Sequence, residues 1–297
     1  MSSQSEKYSD GVLWAGLSNI LPLNQSTRRR FALINNYAPH IVVAAHLGYR
    51  FLHFKENVDF YLVSRAFPFF LRVPLFVFWL WLITTYAVLF RGVRVLVSQS
   101  TYEGFLLWLI RLPLGLFVGK VALVVQLQGF NDEVIKLNHR WLRYTSWIWE
   151  KLLWFAVRKA DVVRAISNAT YVLAEENGAK RIVSYPTWTD WELFLEAQPM
   201  KMDVPSGTFE LLFVGDLTHV KGVDILLEAV RLLQKRGHAV SLRVVGSGRE
   251  EQNLKDRMVS LNLENVIWMG RLSLNDVVPC VVQCSALIVP SRSEGLG

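Results

Sequence analysis

Short apolar runs of strand length alternate with longer stretches of helical period along nearly the whole chain. In the first half, strand-like runs fall at residues 11–18, 41–46, 58–64, 93–98, 121–127, 162–166 and 182–185. Helix-like stretches fall at 28–37, 141–159 and 168–176, the last stopped by Asn177-Gly178. After residue 207 the alternation restarts. Strands are expected at 209–214, 240–245, 266–269 and 286–289, and helices at 221–236, 249–261 and 275–284. This order predicts an α/β chain in which parallel sheets carry helices on both faces. Between the halves, Pro186, Pro199, Pro205 and Gly207 stand among polar and aromatic residues, the composition of a connection between domains. The expected organisation is a Rossmann-like domain over residues 1–190, a connection over 191–207 and a second Rossmann-like domain over 208–297.

One run breaks the rhythm. Residues 73–90 carry no charge and are flanked by Arg65, Arg72, Arg91 and Arg94. By length the run is a candidate membrane span. Strand-like segments on both sides that belong to one sheet argue instead for a crossover helix, dipping into the headgroup layer or lying wholly in the core.

Composition sharpens this picture. Of the 297 residues 52% are hydrophobic and 19% charged, with a mean hydropathy of +0.26, enough to bury a large core and leave apolar surface for a membrane. The net charge of +7 is uneven: residues 1–205 hold 22 Lys/Arg against 15 Asp/Glu, and residues 206–297 hold ten of each. Ten of the eleven tryptophans also lie in the first part. A basic, Trp-rich half fits an anionic membrane surface, and the chain carries no zinc-finger or RNP sequence for nucleic acid. Cys280 and Cys284 read as small core residues, with neither a disulfide framework nor a zinc set around them. The polar first ten residues lack the apolar core of a signal peptide, so the expected location is the cytoplasm, peripheral on the cytosolic face of a membrane.

Three motifs follow strands in the second half. Phe213-Val214-Gly215-Asp216 leads through a loop to Lys221-Gly222 and a helix, where backbone N–H groups and a lysine suit a diphosphate. Val245-Gly246-Ser247-Gly248 is a glycine loop that serves a phosphate or only a tight turn. Pro290-Ser291-Arg292-Ser293-Glu294-Gly295-Leu296-Gly297 places a glutamate and two glycines at the carboxyl end of a strand, where the crevice of a parallel sheet lies.

In this order, with Leu263-Glu264-Asn265-Val266-Ile267-Trp268-Met269-Gly270 between them, the motifs resemble the donor-binding domain of family 4 glycosyltransferases over residues 208–297. The segments Val124–Phe130, Ala160–Ser167 and Ile182–Pro186 extend the resemblance into the first half. The resemblance implies a GT-B fold of two facing Rossmann-like domains, the second incomplete here. It implies retaining transfer from a nucleotide-diphosphate sugar, as co-substrate rather than cofactor, to a lipid-linked or cell-surface glycan precursor, without a metal. Lys221 and Glu294 would be catalytic, on the donor diphosphate and sugar hydroxyls. Gly215, Asp216, Gly246, Met269, Gly270, Arg271, Gly295, Leu296 and Gly297 would complete the donor site, and Gln128, Ser26, Thr27 and Arg28 would lie on the acceptor side.

The sequence departs from the family in four places. Asp216 stands where the family has an arginine, and Gln128 where it has a histidine. Asn24-Gln25-Ser26-Thr27 followed by Arg28-Arg29-Arg30 stands where it has a glycine-rich loop. The sequence also ends before the family's second glutamate, so a fragment of weakened donor binding is expected. Two other readings stand beside this one: a glycosyltransferase-like binding protein without catalysis, and a membrane-spanning nucleotide-binding protein of another fold.

Overall fold

The computed structural model describes residues 10–16, 28–29, 32–33, 41–48, 52–55, 58–64, 68–128, 146–187, 192–198 and 207–294. They cluster into two compact units, one holding the described residues up to 187 and the other those from 192.

The N-terminal unit is built on an eight-stranded sheet: β1 (Gly11–Gly16), β2 (Ile41–Gly48), β3 (Leu52–Lys55), β4 (Asp59–Ser64), β5 (Val93–Ser98), β6 (Ala122–Leu127), β7 (Val162–Ala165) and β8 (Ile182–Ser184). Its spatial order is β3-β4-β2-β1-β5-β6-β7-β8, and every neighbouring pair is parallel except β3 with β4. The chain runs outward from β1 to one side and returns to β5 on the other, so the order reverses between β1 and β5. There Gly16 leaves room for Gln99, whose side-chain Oε1 would lie 1.9 Å from any added Cβ. The antiparallel β3 was not anticipated; it is an edge strand too short to show a period.

Four described helices belong to this unit: α1 (Phe69–Phe90), α2 (Thr101–Val118), α3 (Ser146–Lys159) and α4 (Asn168–Glu176). The apolar run at 73–90 is thus the body of a helix that starts four residues earlier, with Pro74 in its first turns. The strands flanking it, β4 and β5, share one sheet, so α1 crosses that sheet rather than leaving it. Helix α2 escaped the sequence reading because Gly104, Pro113 and Gly115 interrupt its period. Its start is fixed by Ser100, whose hydroxyl accepts from Tyr102 N–H at 3.3 Å and also bonds the buried Glu103. Gly104 lets α2 approach the sheet, since a Cβ there would sit 2.8 Å from Val125. Helix α4 matches its expected bounds and opens on a capping box between Ser167 and Thr170. The core joins α1, α2 and the sheet through Leu80, Ala87, Leu96, Leu107, Leu123 and Val125.

The second unit contains α5 (Glu192–Leu195) and a four-stranded parallel sheet of β9 (Phe209–Val214), β10 (Val240–Val245), β11 (Val266–Gly270) and β12 (Ala286–Leu287), in the order β11-β10-β9-β12. Helices α6 (Val223–Lys235), α7 (Glu251–Ser260) and α8 (Leu274–Gln283) connect the strands. Helix α6 is amphipathic and buries Val223, Leu226, Leu227 and Val230 against the sheet. Beneath the other face, α8 sets Cys280 against Leu212 and Val245, with Cys284 at the margin. Both cysteines are free and lie in or beside the core.

Two substitutions on α2 separate core from surface. Leu107→Ala, at a fully buried position, should cost about 2–5 kcal/mol, read by urea unfolding. Leu116→Ala, at an exposed one, should stay within roughly 0.5 kcal/mol of wild type.

Candidate functional site

In the second unit, too, the strand order reverses. From β9 the chain moves outward to β10 and β11, then returns across the sheet to β12 on the other side of β9. A parallel sheet opens a crevice at the carboxyl ends of its strands where the order reverses. The loops after β9 and β12 flank that point, and they carry the first and third motifs.

The loop after β9 ends in a single 3-10 turn, His219–Lys221, and Gly222 follows in the left-handed region at φ +66°. Helix α6 begins only at Val223, so Lys221 precedes the helix rather than opening it. Gly222 is required twice over: by its backbone conformation, and because a Cβ there would fall 2.1 Å from the carbonyl oxygen of Pro290. The β12 loop therefore lies directly on the Lys-Gly turn. Arg292 fastens it there: its backbone N–H donates to Val220 O at 2.7 Å, and its guanidinium donates to His219 O at 2.6 Å. The same guanidinium grips both carboxylate oxygens of Asp224, at 2.9 and 2.6 Å. That grip, outweighing partial burial, holds the Asp224 carboxyl below the usual aspartate range. The carboxylate at the start of α6 is thus already engaged by Arg292.

The consequence is an ion pair across the crevice. Lys221 Nζ donates to Glu294 Oε1 at 2.5 Å, and Ser291 Oγ donates to the same oxygen at 2.6 Å. Burial opposes the charge on Glu294, but the bonds from Lys221 and Ser291 and the lysine's charge together outweigh it. They hold the carboxyl below the usual glutamate range.

The glycine loop after β10 has a packing role. Gly246 takes φ +142°, and a Cβ on it would fall 1.8 Å from Gly215 O, while one on Gly248 would fall 2.3 Å from Leu217 O. The backbone N–H groups of Gly215 and Gly246 are committed to Val245 O at 3.0 Å and Gly270 O at 2.7 Å. What these two glycines give the crevice is space, not donors.

Asp216 is not an isolated negative charge. Arg271, just beyond β11, reaches it with Nη2 at 3.0 Å from Oδ1, and its Nε lies 3.4 Å from Ser247 Oγ. A cation thus stands beside the position where the family carries arginine, supplied from another strand. Met269 packs against the Cys280 cluster, and Gly270 turns the chain at φ +65°.

In the N-terminal unit, Gln128 lies exposed just past β6, its Nε2 donating to Gln126 Oε1 at 3.1 Å. Arg164 donates to the same oxygen at 2.9 Å and to Pro186 O at 2.8 Å, with its guanidinium 4.2 Å from the Tyr185 ring centre. Gln128 is therefore one member of a polar cluster at the carboxyl edge of the sheet. Arg28 falls in a described helical pair, 28–29, but Ser26, Thr27, Gly295, Leu296 and Gly297 lie outside the described residues. Among the described residues, no three His, Cys, Asp or Glu side chains are grouped to hold a metal ion.

The structure brings Lys221 and Glu294 together, and separately Asp216 and Arg271. Sequence reasoning missed Arg292, Asp224 and Ser291 as the residues that hold the crevice. Both Arg292 and Ser291 sit inside the quoted motif, and Ser291 bonds Glu294 within it, but Asp224, the partner of Arg292, lies 68 residues away.

Residues 196–297 match the family model described as glycosyl transferases group 1. An uncharacterized glycosyltransferase of Methanocaldococcus jannaschii is 36% identical over 86 residues, 29% of this chain and 23% of that protein. A D-inositol 3-phosphate glycosyltransferase of Pseudarthrobacter chlorophenolicus is 29% identical over 99 residues, 32% of this chain and 24% of that protein. These matches span about a quarter of each relative's length. Among solved structures, sucrose-phosphate synthase from Thermosynechococcus elongatus superposes with a TM-score of 0.74 at 15% identity, covering 97% of this chain and 77% of that one. The fold is Rossmann-like and of the GT-B class.

The depressed Glu294 carboxyl has a signed consequence. Its pairing with Lys221 contributes fully above the unfolded glutamate pKa of about 4.3 and is lost as pH falls through the lower folded value. In a carbon-detected NMR titration, Glu294 should titrate below the unfolded value, and Lys221→Met should raise its midpoint. An unchanged midpoint would remove the lysine from the account.

Proposed function

We propose that this chain transfers a sugar from a nucleotide-diphosphate sugar to the hydroxyl of a glycan or lipid-linked acceptor, with retention of configuration. The observation that carries the reading is the Lys221–Glu294 pair at the reversal point of the β9–β12 sheet, within the segment that matches the glycosyl transferases group 1 model.

In this reading Lys221 binds the donor diphosphate and Glu294 the sugar hydroxyls, with backbone donors from Gly295 to Gly297 beside them. The bond from the anomeric carbon to the diphosphate oxygen breaks and leaves a nucleoside diphosphate. A bond to the acceptor oxygen forms, and the acceptor's proton leaves with the departing phosphate or to water. The transition state carries positive charge on the sugar ring and growing negative charge on the diphosphate. A fixed ammonium aimed at that growing charge lowers the barrier without a metal ion. Gln128, with Ser26, Thr27 and Arg28, belongs to the acceptor side.

Arg271 makes the absence of the family's arginine tolerable. Its pairing with Asp216 keeps the crevice mouth from turning negative, so a diphosphate meets Lys221 without an uncompensated carboxylate beside it.

Calorimetry with UDP, GDP and ADP tests the reading. One of the three should bind, and Lys221→Ala should weaken it at least about tenfold; no binding of any would overturn the donor site. Glu294→Gln should act in the opposite direction on the nucleoside diphosphate. Freed of its carboxylate, Lys221 should bind the diphosphate more tightly by up to about tenfold, while turnover of the nucleotide sugar falls. An unaltered affinity would show that the pair does not compete with the ligand. The product's anomeric proton coupling decides retention against inversion. Nucleotide binding without turnover would favour a non-catalytic binding protein.

A further inference from the structure

The outward faces of α1 and α2 are apolar where a crossover helix on a soluble sheet carries charge. Phe78, Trp81 and Leu82 on α1 and Leu109, Leu112 and Leu116 on α2 are all exposed. The shallow groove between the helices, lined by Val77, Phe78 and Trp81 of α1 and Leu106, Leu109 and Ile110 of α2 among others, is almost wholly carbon. The exposure peaks at the helix ends: Phe90 is 74% exposed, Leu116 86% and Phe117 78%. Exposed apolar side chains in this number on two packed helices mark an interaction site.

We infer that this face docks on an anionic lipid bilayer, with Phe90, Leu116 and Phe117 entering the acyl boundary. Charge decides the partner. At the same end, Arg94 donates only to the carbonyls of Val88 and Val93, and Lys120 stands exposed. Among the described residues, neither has a carboxylate within ion-pair distance. Arg158 and Lys159 close the neighbouring α3 and are exposed. Of the acids at this edge, Asp59 is engaged by Arg91, and Asp161 by Arg111 with Lys120 also facing it, while Asp10 stands exposed beside the start of β5, leaving Arg94, Arg158 and Lys159 to carry the positive excess. The exposed carbon is therefore rimmed by surplus cations, the pattern of a surface that sits at headgroup level.

The sheet fixes the manner of contact. Helix α2 is long and apolar enough to cross a membrane by length and composition. Yet the strands on either side of it, β5 and β6, pair directly in parallel from Val95↔Ala122 to Ser98↔Val125. A helix between two paired strands must lie along their sheet. It lies on the bilayer rather than through it. The chain ends of α1 and α2 lead into the amino ends of β5 and β6, so the docked tip is at the edge opposite Gln128.

The inference deepens the proposed transferase by giving it a lipid surface to work on, and rests on it for the acceptor's nature. Its test does not use sugar transfer. The whole chain is sedimented with vesicles of phosphatidylcholine alone and with about a quarter phosphatidylglycerol. Binding should appear with the anionic vesicles and weaken roughly tenfold or more in Leu116→Ser/Phe117→Ser, a pair so exposed that folding, checked by circular dichroism, is retained. Lys120→Glu/Lys159→Glu should weaken it as well. Absence of wild-type binding, or loss only in the charge variant, overturns the apolar docking. So does a vesicle-free dimer that the serine variant dissolves, which would assign the face to a second copy. Nucleotide affinity of the serine variant should stay at the wild-type value. If vesicles bind but no nucleotide does, the transferase reading fails and the docking stands.

Discussion

The close approach of two backbones at Gly222 and Pro290 is the constraint on which the second unit's chemistry depends. A parallel sheet whose order reverses leaves a gap between the loops of β9 and β12. That gap becomes a site only if the loops come within side-chain reach of each other. Here the missing Cβ of Gly222 lets the Pro290 carbonyl in, and Arg292 then locks the β12 loop to Val220, His219 and Asp224. Lys221 and Glu294 meet as a consequence. An arginine gripping a carboxylate through two parallel bonds fixes orientation as well as distance, which a lysine in the same place would not.

The electrostatics follow from that geometry. A lysine and a glutamate held together are nearly neutral as a pair, so neither carries the cost of a lone charge. A ligand with a negative diphosphate and a polyhydroxyl sugar can replace each partner of the pair with its own group. The second ion pair, Asp216 with Arg271, is more exposed and adds little stability, but it leaves no unpaired carboxylate at the crevice mouth.

Much of this was legible in the sequence where the signal is local. The strands of the second unit, helix α4 and the residues Lys221 and Glu294 follow from period, caps and short motifs. What was not legible depends on distance. The pairing of Arg292 with Asp224 and of Arg271 with Asp216 joins residues far apart in the chain, and no spacing announces it. Helix α2 was hidden by Gly104, Pro113 and Gly115, residues that weaken a helix in isolation but are tolerated where the sheet supports it. Gly246 and Gly248 carried an ambiguous signal, a phosphate loop or a tight turn. The structure shows their use in the close packing of two loops.

A crystal structure of the chain soaked with the nucleoside diphosphate that binds best tests the Lys221–Glu294 site most directly. A diphosphate oxygen should lie within hydrogen-bonding distance of Lys221 Nζ, with Glu294 displaced from that nitrogen and the Arg292–Asp224 grip unchanged. A nucleotide bound elsewhere, or one bound while Lys221 and Glu294 remain paired, would contradict it.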